Sequence, residues 1–130
     1  MKFIKSLIFI LIFSLLLIGC SSNPTNTVEN FMDSLLEGNT ENAIELLADN
    51  IQEEEGIEDM MQFIIVILED FNSVEYEIGE YDISNGNAEV EIKMDATDGK
   101  VVGSDLRMEE TVPLIKENGD WKIAKLNWLI

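Results

Sequence analysis

Apolar residues follow three different patterns along this chain, and the changes of pattern divide it. From Ser6 to Ile18 the residues are almost wholly Leu, Ile and Phe. From Asn26 to Phe71 apolar residues recur three and four apart, the period of a helix face. From Asn72 onward they alternate with polar residues, the period of a strand with one covered face.

Within the helical part, Val28, Phe31, Met32, Leu35 and Leu36 share one face. Asn26 is the expected N-cap, with Glu29 three residues on as a capping-box variant, and Gly38 the expected stop. Asn39 or Thr40 then caps a second, short helix over 41–48, with Ala43, Ile44, Leu47 and Ala48 inward. The stretch 49–56 is acidic and expected to be irregular. A third helix is expected over 57–71, with Met60, Met61, Ile64, Leu68 and Phe71 at helical spacing. Phe63 to Leu68 is apolar on all sides and also fits a buried strand; length and the lack of Gly or Pro favour the helix. So apolar a helix requires cover on more than one face, for example from a sheet and from a partner.

In the second part, Val74, Tyr76 and Ile78 alternate with Glu75 and Glu77, and the phase then slips to Tyr81 and Ile83, which predicts a β-bulge at Gly79. Asn85-Gly86 marks a hairpin turn. Ala88, Val90, Ile92, Met94 and Ala96 follow in strict alternation, and Asp98-Gly99 is the next expected turn. A third strand is expected from Val101 to Lys116, a turn at Asn118-Gly119, and a fourth strand from Trp121 to Trp128. Four alternating strands joined by short turns form an antiparallel meander with one apolar face. Helices followed by such a sheet make an α+β domain: N-terminal helices packed on a curled four-stranded antiparallel sheet.

Composition limits the chemistry. The 130 residues include no His and one Cys, so the usual zinc, haem and iron–sulfur ligands and any histidine-based nucleophile system are missing, as is an internal disulfide. The formal net charge is −18, which excludes binding to a phosphate backbone; no nucleic acid is expected as a partner. All 26 acids but only six of the eight bases lie after Gly19, leaving that body at −20.

The other two bases, Lys2 and Lys5, precede the apolar run, and a polar stretch follows it. A positive start, an apolar middle and a small residue at a cut site describe a secretory signal peptide. Leu17-Ile18-Gly19-Cys20 resembles the lipobox of prokaryotic lipoproteins at all four positions. The resemblance implies a diacylglyceryl group on the Cys20 thiol and cleavage between Gly19 and Cys20. Two acyl chains hold a protein stably on a membrane, at about 0.8 kcal/mol per buried methylene. The expected organisation is therefore a cleaved signal peptide over 1–19, a lipidated Cys20 with a polar tether over 20–26, and one domain over 27–130. The address is a cell membrane or outer membrane, with the domain outside the cytoplasm. Ser21 supplies no inner-membrane retention Asp of the kind the resembled two-membrane systems use. Two other readings of the segment are an uncleaved anchor, for which it is shorter than the ~20 residues of a spanning helix, and secretion with a spectator Cys.

The order of elements resembles the nuclear-transport-factor-2-like (cystatin-like) superfamily, and more narrowly small prokaryotic lipoproteins carrying that domain. The residues that carry the resemblance are Thr27-Val28-Glu29-Asn30-Phe31, Gly38-Asn39 before Ala43, and Asn118-Gly119-Asp120-Trp121-Lys122-Ile123. The resemblance implies a cone between helices and sheet, used in some members as an enzyme pocket and in others to bind ligands or proteins. Two residues are candidates for such a pocket, Glu110 and Tyr76. Glu110 falls on the apolar parity of its strand, among Leu106, Met108, Val112 and Leu114, where a carboxylate is costly to bury; a bulge or a watery rim also accommodates it. Trp121 and Trp128 can stack on a ligand or pack in the core, and Met60, Met61, Met94 and Met108 can form an adaptable surface or fill space. Glu53-Glu54-Glu55 with Glu58 and Asp59 does not match a calcium loop and reads as a solvated acidic segment. No cofactor or metal is implied. The expected function is a non-catalytic, membrane-held module binding a protein partner or a small apolar ligand. The alternative is an isomerase- or dehydratase-type enzyme with Glu110 as base.

Overall fold

The structure, a computed structural model, describes residues 23–100 and 103–129. The leader, Gly19 and Cys20 lie outside the described residues. Four helices, α1 (Pro24–Leu36), α2 (Thr40–Glu45), α3 (Asp49–Gln52) and α4 (Ile57–Glu69), precede four strands, β1 (Ser73–Ser84), β2 (Asn87–Thr97), β3 (Leu106–Glu117) and β4 (Asp120–Ile123). The strands form one antiparallel sheet in the order β1-β2-β3-β4.

The first helix opens earlier than the Asn26 cap predicts. Asn23 is the N-cap, its side chain accepting from the Thr25 N–H (2.9 Å), and Pro24 occupies the first turn, where a missing N–H costs nothing. Residues 24–26, expected in the tether, are thus helical. Gly38, at φ 75°, lets the chain reverse, and the Asn39 side chain caps α2 by accepting from the Asn42 N–H (3.1 Å). The acidic stretch is not wholly irregular, because Ile51 is buried and draws 49–52 into the short α3. The segment from Ile57 is a helix, as its length implies, and buries Ile57, Met61, Ile64, Ile65 and Leu68.

In the sheet, the register slips between Ile78↔Ile92 and Tyr81↔Val90, which places the bulge at 79–80. Both Asn-Gly turns have positive φ at both central residues, Asn85 and Gly86 (48° and 77°) and Asn118 and Gly119 (52° and 86°), the geometry that fits the twist of a two-residue hairpin. The connection between β2 and β3 is longer than the expected Asp98-Gly99 turn. The Asp105 carboxylate accepts from the Asp98 N–H (3.0 Å), and β3 begins only at Leu106. The fourth strand is also shorter than expected. It stops at Ile123, after which the Ala124 N–H donates to the Pro113 carbonyl and the chain turns inward over 127–129.

Helices and sheet bury one core. Phe31, Met32 and Leu35 of α1, Leu47, Met61 of α4, and Ile92, Leu114 and Ile123 of the sheet are almost wholly inaccessible. The outer edge of β4 is covered by the chain after α2: the Ile123 N–H donates to the Leu46 carbonyl and the Ala48 N–H to the Ile123 carbonyl, both at 2.9 Å. This closes an edge that would otherwise invite pairing with another chain.

Candidate functional site

Tyr76 lies on the inner face of β1, opposite Met94, and is half-buried. Its hydroxyl donates to Asp33 Oδ1 of α1 at 2.6 Å and makes a longer contact, 3.4 Å, with the Glu29 carbonyl oxygen. Burial, and then the hydrogen bond to Asp33 and the negative charges of Asp33 and Glu29, push the phenol above its ordinary range. The group holds its proton more tightly than a free tyrosine does, which suits a tie between sheet and helix. Asp33 itself was not marked by any pattern in the sequence: it is a polar residue on the outer side of a helix, brought to Tyr76 only by the fold.

Glu110 sits opposite Ile92 in an unbroken β2–β3 register, so it faces the inner side of the sheet. It is nonetheless exposed, whereas Ile92 is buried. β4 pairs with β3 only over Leu114–Glu117, so the first two-thirds of β3, Glu110 included, is an open edge. Leu106 on the same parity is 44% exposed. Glu110 therefore occupies a watery rim, not a desolvated pocket, and it is not brought near Tyr76: their respective partners across β2 are Ile92 and Met94. An exposed carboxylate does not meet the burial requirement on which its role as a general base depends.

Both tryptophans belong to the core. Trp128 is 5% exposed, meets Phe31 edge-on with ring centres 6.0 Å apart, and donates its indole N–H to the Lys125 carbonyl (2.7 Å). Trp121 is 4% exposed, with Lys116 Nζ 5.5 Å from its ring centre and its carbonyl accepting from the Thr27 hydroxyl (3.0 Å). Neither presents a free face for stacking on a ligand. Met61 and Met94 are buried, while Met60 and Met108 pack at the core's margin. Glu53, Glu54 and Glu55 are exposed, and among the described residues no group of acidic or Cys side chains is arranged to hold a metal ion.

The outer face of the sheet is a lattice of charges. Glu75, Asp95 and Arg107 form one cross-strand row, with Arg107 Nε 3.0 Å from Asp95; Glu77, Lys93 and Glu109 form the next, with Lys93 3.9 Å from Glu109. These pairs are solvated and contribute little to stability. Apolar surface is exposed elsewhere, on α4, at Phe63, Val66 and Ile67.

Comparison with known proteins places this fold. A family model described as a domain of unknown function, DUF4878, matches residues 18–124. The chain belongs to the DUF4878 family. A search of curated proteins gives no match. Among solved structures, this DUF4878 chain is similar to a SEC-C motif containing protein from Rhodopseudomonas palustris (TM-score 0.66, 12% identity, 81% of this chain and 77% of that one). It is similar also to a protein assigned as an NTF2-like transpeptidase from Campylobacter jejuni (TM-score 0.59, 15% identity, 79% and 98%). A third similar structure is a cystatin-like protein of unknown function from Nostoc punctiforme (TM-score 0.53, 16% identity, 76% and 81%). At these identities the likeness is one of fold, and the DUF4878 domain has the NTF2-like, cystatin-like architecture that its sequence resembles.

Proposed function

We propose that this DUF4878 protein is a lipid-anchored extracytoplasmic module that binds a protein partner through its surface and carries out no covalent chemistry. The observation that carries this reading is the distribution of apolar side chains. Among the described residues, Phe31, Met32, Leu35, Met61 and Ile92 are buried between helices and sheet, while apolar side chains remain outside on α4. A small apolar ligand within the cone would have to displace close-packed core, at a cost of several kcal/mol. A protein docking outside displaces only water. The two pocket candidates favour the same reading, Glu110 because it is exposed and Tyr76 because its hydroxyl is engaged by Asp33.

The anchor rests on Leu17-Ile18-Gly19-Cys20 and the leader before it. Because α1 begins at Pro24, only three residues separate its start from Cys20, four residue steps with a reach of at most ~14 Å. The domain then stands at the lipid surface with the start of α1 toward it.

Intact-mass measurement on protein from its natural host tests the anchor. The expected result is a chain starting at Cys20 with a diacylglyceryl mass. Cys20→Ala should keep the leader and lose the lipid mass. A wild-type protein that retains Met1, or carries an unmodified Cys20 thiol, refutes the assigned address. Photo-crosslinking on intact cells tests the binding role: a defined protein adduct supports it, and a turnover lost on Tyr76→Phe or Glu110→Gln contradicts it.

A further inference from the structure

The exposed apolar residues of α4 are not scattered. Phe63, Val66 and Ile67 are spaced by three and four, so they form one stripe along the helix. Phe63 is 61% exposed, Val66 63% and Ile67 38%, values that leave most of two large side chains in water. Asp59 lies on the same face one turn before Phe63, and Asp70 one turn after Val66. Lys100 reaches the far end of this helix, where its backbone N–H donates to the Asp70 carbonyl (3.3 Å).

The side chains of the helices themselves carry charge of one sign, and the bases that reach them, Lys100 at the end of α4 and Lys122, whose Nζ donates to the Glu45 carbonyl (2.6 Å), come from the sheet half of the chain. From Pro24 to Asp70, the whole helical layer, the sequence contains thirteen carboxylates and no Lys, Arg or His. The six bases after the leader all fall at or beyond Lys93, in the sheet half of the chain. An apolar strip on helices whose own side chains are negative or neutral throughout selects its occupant. A second copy of this chain docking through the same stripe would bring an equal negative layer against it. An anionic membrane surface would be repelled in the same way within a Debye length of about 8 Å. A partner with an apolar stripe flanked by Lys or Arg gains both burial and charge pairing.

We infer that the Phe63–Val66–Ile67 stripe of α4 is a docking site for a basic amphipathic helix of a protein partner. The inference rests on the reading of the domain as a binding module and adds the surface and the chemistry of what it binds. The 13-residue helix is ~20 Å long, enough to seat three to four turns of a partner helix. Apolar contact at Phe63 and Val66 supplies the affinity, and the carboxylates of Glu58, Asp59 and Glu69 set partner choice and encounter rate.

The test uses protein expressed from the full reading frame and held in zwitterionic nanodiscs. The probes are three labelled peptides: Lys and Leu at helical spacing, the same pattern with Glu for Lys, and Lys without Leu. The Lys/Leu peptide should bind, weaken as salt is raised, and crosslink to residues of α4; the Glu/Leu peptide should not bind. Phe63→Ser with Val66→Ser should weaken the Lys/Leu peptide at least about tenfold and leave the Lys-only peptide unchanged. Asp59→Lys with Glu69→Lys should weaken it about threefold or more at low salt. All four positions are exposed, so these variants should retain the wild-type circular dichroism. Unchanged Lys/Leu binding in the serine variant, or crosslinks only to the sheet, overturns the inference. So does self-association, or attachment to anionic vesicles, that the serine variant abolishes. Each of these outcomes leaves the module reading to be judged by the mass at position 20 and by adducts on intact cells.

Discussion

Tyr76 links two layers through one hydroxyl, and its chemistry makes that link sensitive to alkali. The phenol of the folded protein titrates above its ordinary value near 10, chiefly through burial and then through Asp33. A raised value means that the folded state holds the proton more firmly than the unfolded chain does. The resulting stability is complete below about pH 10 and is lost as the pH rises beyond it. Tyr76→Phe should cost about 1 kcal/mol at pH 7, the low end for a bond to a charged acceptor because water reaches it. Between about pH 9 and about pH 11.5, denaturant melts of the wild type should fall more steeply than those of the variant, so that the two curves converge. Parallel curves would show that the hydroxyl plays no part. Gly99 makes a second, simpler case. A Cβ there would lie 2.8 Å from Phe71 Cε1 and 3.1 Å from the Ser104 carbonyl. Gly99→Ala should therefore lower stability by about 1–3 kcal/mol, and Phe71→Leu in the same chain should recover part of the loss.

At the level of elements, the parts legible in the sequence were those set by local chemistry. Apart from Leu36, which is 37% exposed, the helix faces, the slip at 79–80 and both Asn-Gly turns stand where periodicity and turn residues put them, since each depends on neighbours only a few residues away. Some misjudged boundaries are local, such as the start of α1 at the Asn23 cap and Pro24, but the end of the last strand depends on a distant partner. The alternation through Trp121 to Trp128 reads as one strand, yet β4 ends at Ile123 because Trp128 is drawn inward to Phe31, almost a hundred residues earlier. The candidate site shows the same division. Parity put Glu110 on the inner face correctly, but parity contains no information about how far β4 extends beside it. The stripe on α4 was foreshadowed by a helix too apolar to be covered by one neighbour, although which residues stay uncovered follows only from packing. The tail after β4 is accordingly part of the core, and Trp128→Ala should cost about 3–5 kcal/mol in denaturant melts. A loss below about 1 kcal/mol would mean that residues 124–129 are peripheral.

Across the whole molecule, charge is arranged in two layers as plainly as secondary structure is. The helical layer has thirteen carboxylates without a base, and the outer face of the sheet mixes both signs in rows such as Glu77–Lys93–Glu109. Repulsion within the first layer opposes compactness, and that cost is screened by mobile ions. Raising sodium chloride from about 0.02 M to about 0.5 M should therefore raise the thermal midpoint by several degrees, against the usual weakening of surface ion pairs. The identity of the cation distinguishes diffuse screening from a site. Sodium, potassium and tetramethylammonium at matched ionic strength should act alike. Calcium should add no saturable step at millimolar concentration, because Glu53, Glu54 and Glu55 are exposed and, among the described residues, no acidic group is arranged to hold a metal ion. Replacing Glu41, Glu45 and Glu53 by Gln, three exposed positions away from the α4 stripe, should flatten the salt response while leaving the low-salt fold intact. A salt response that survives this change undiminished would locate the repulsion in the sheet instead. The helical layer would then be negative for its partner alone, with no measurable cost to the fold.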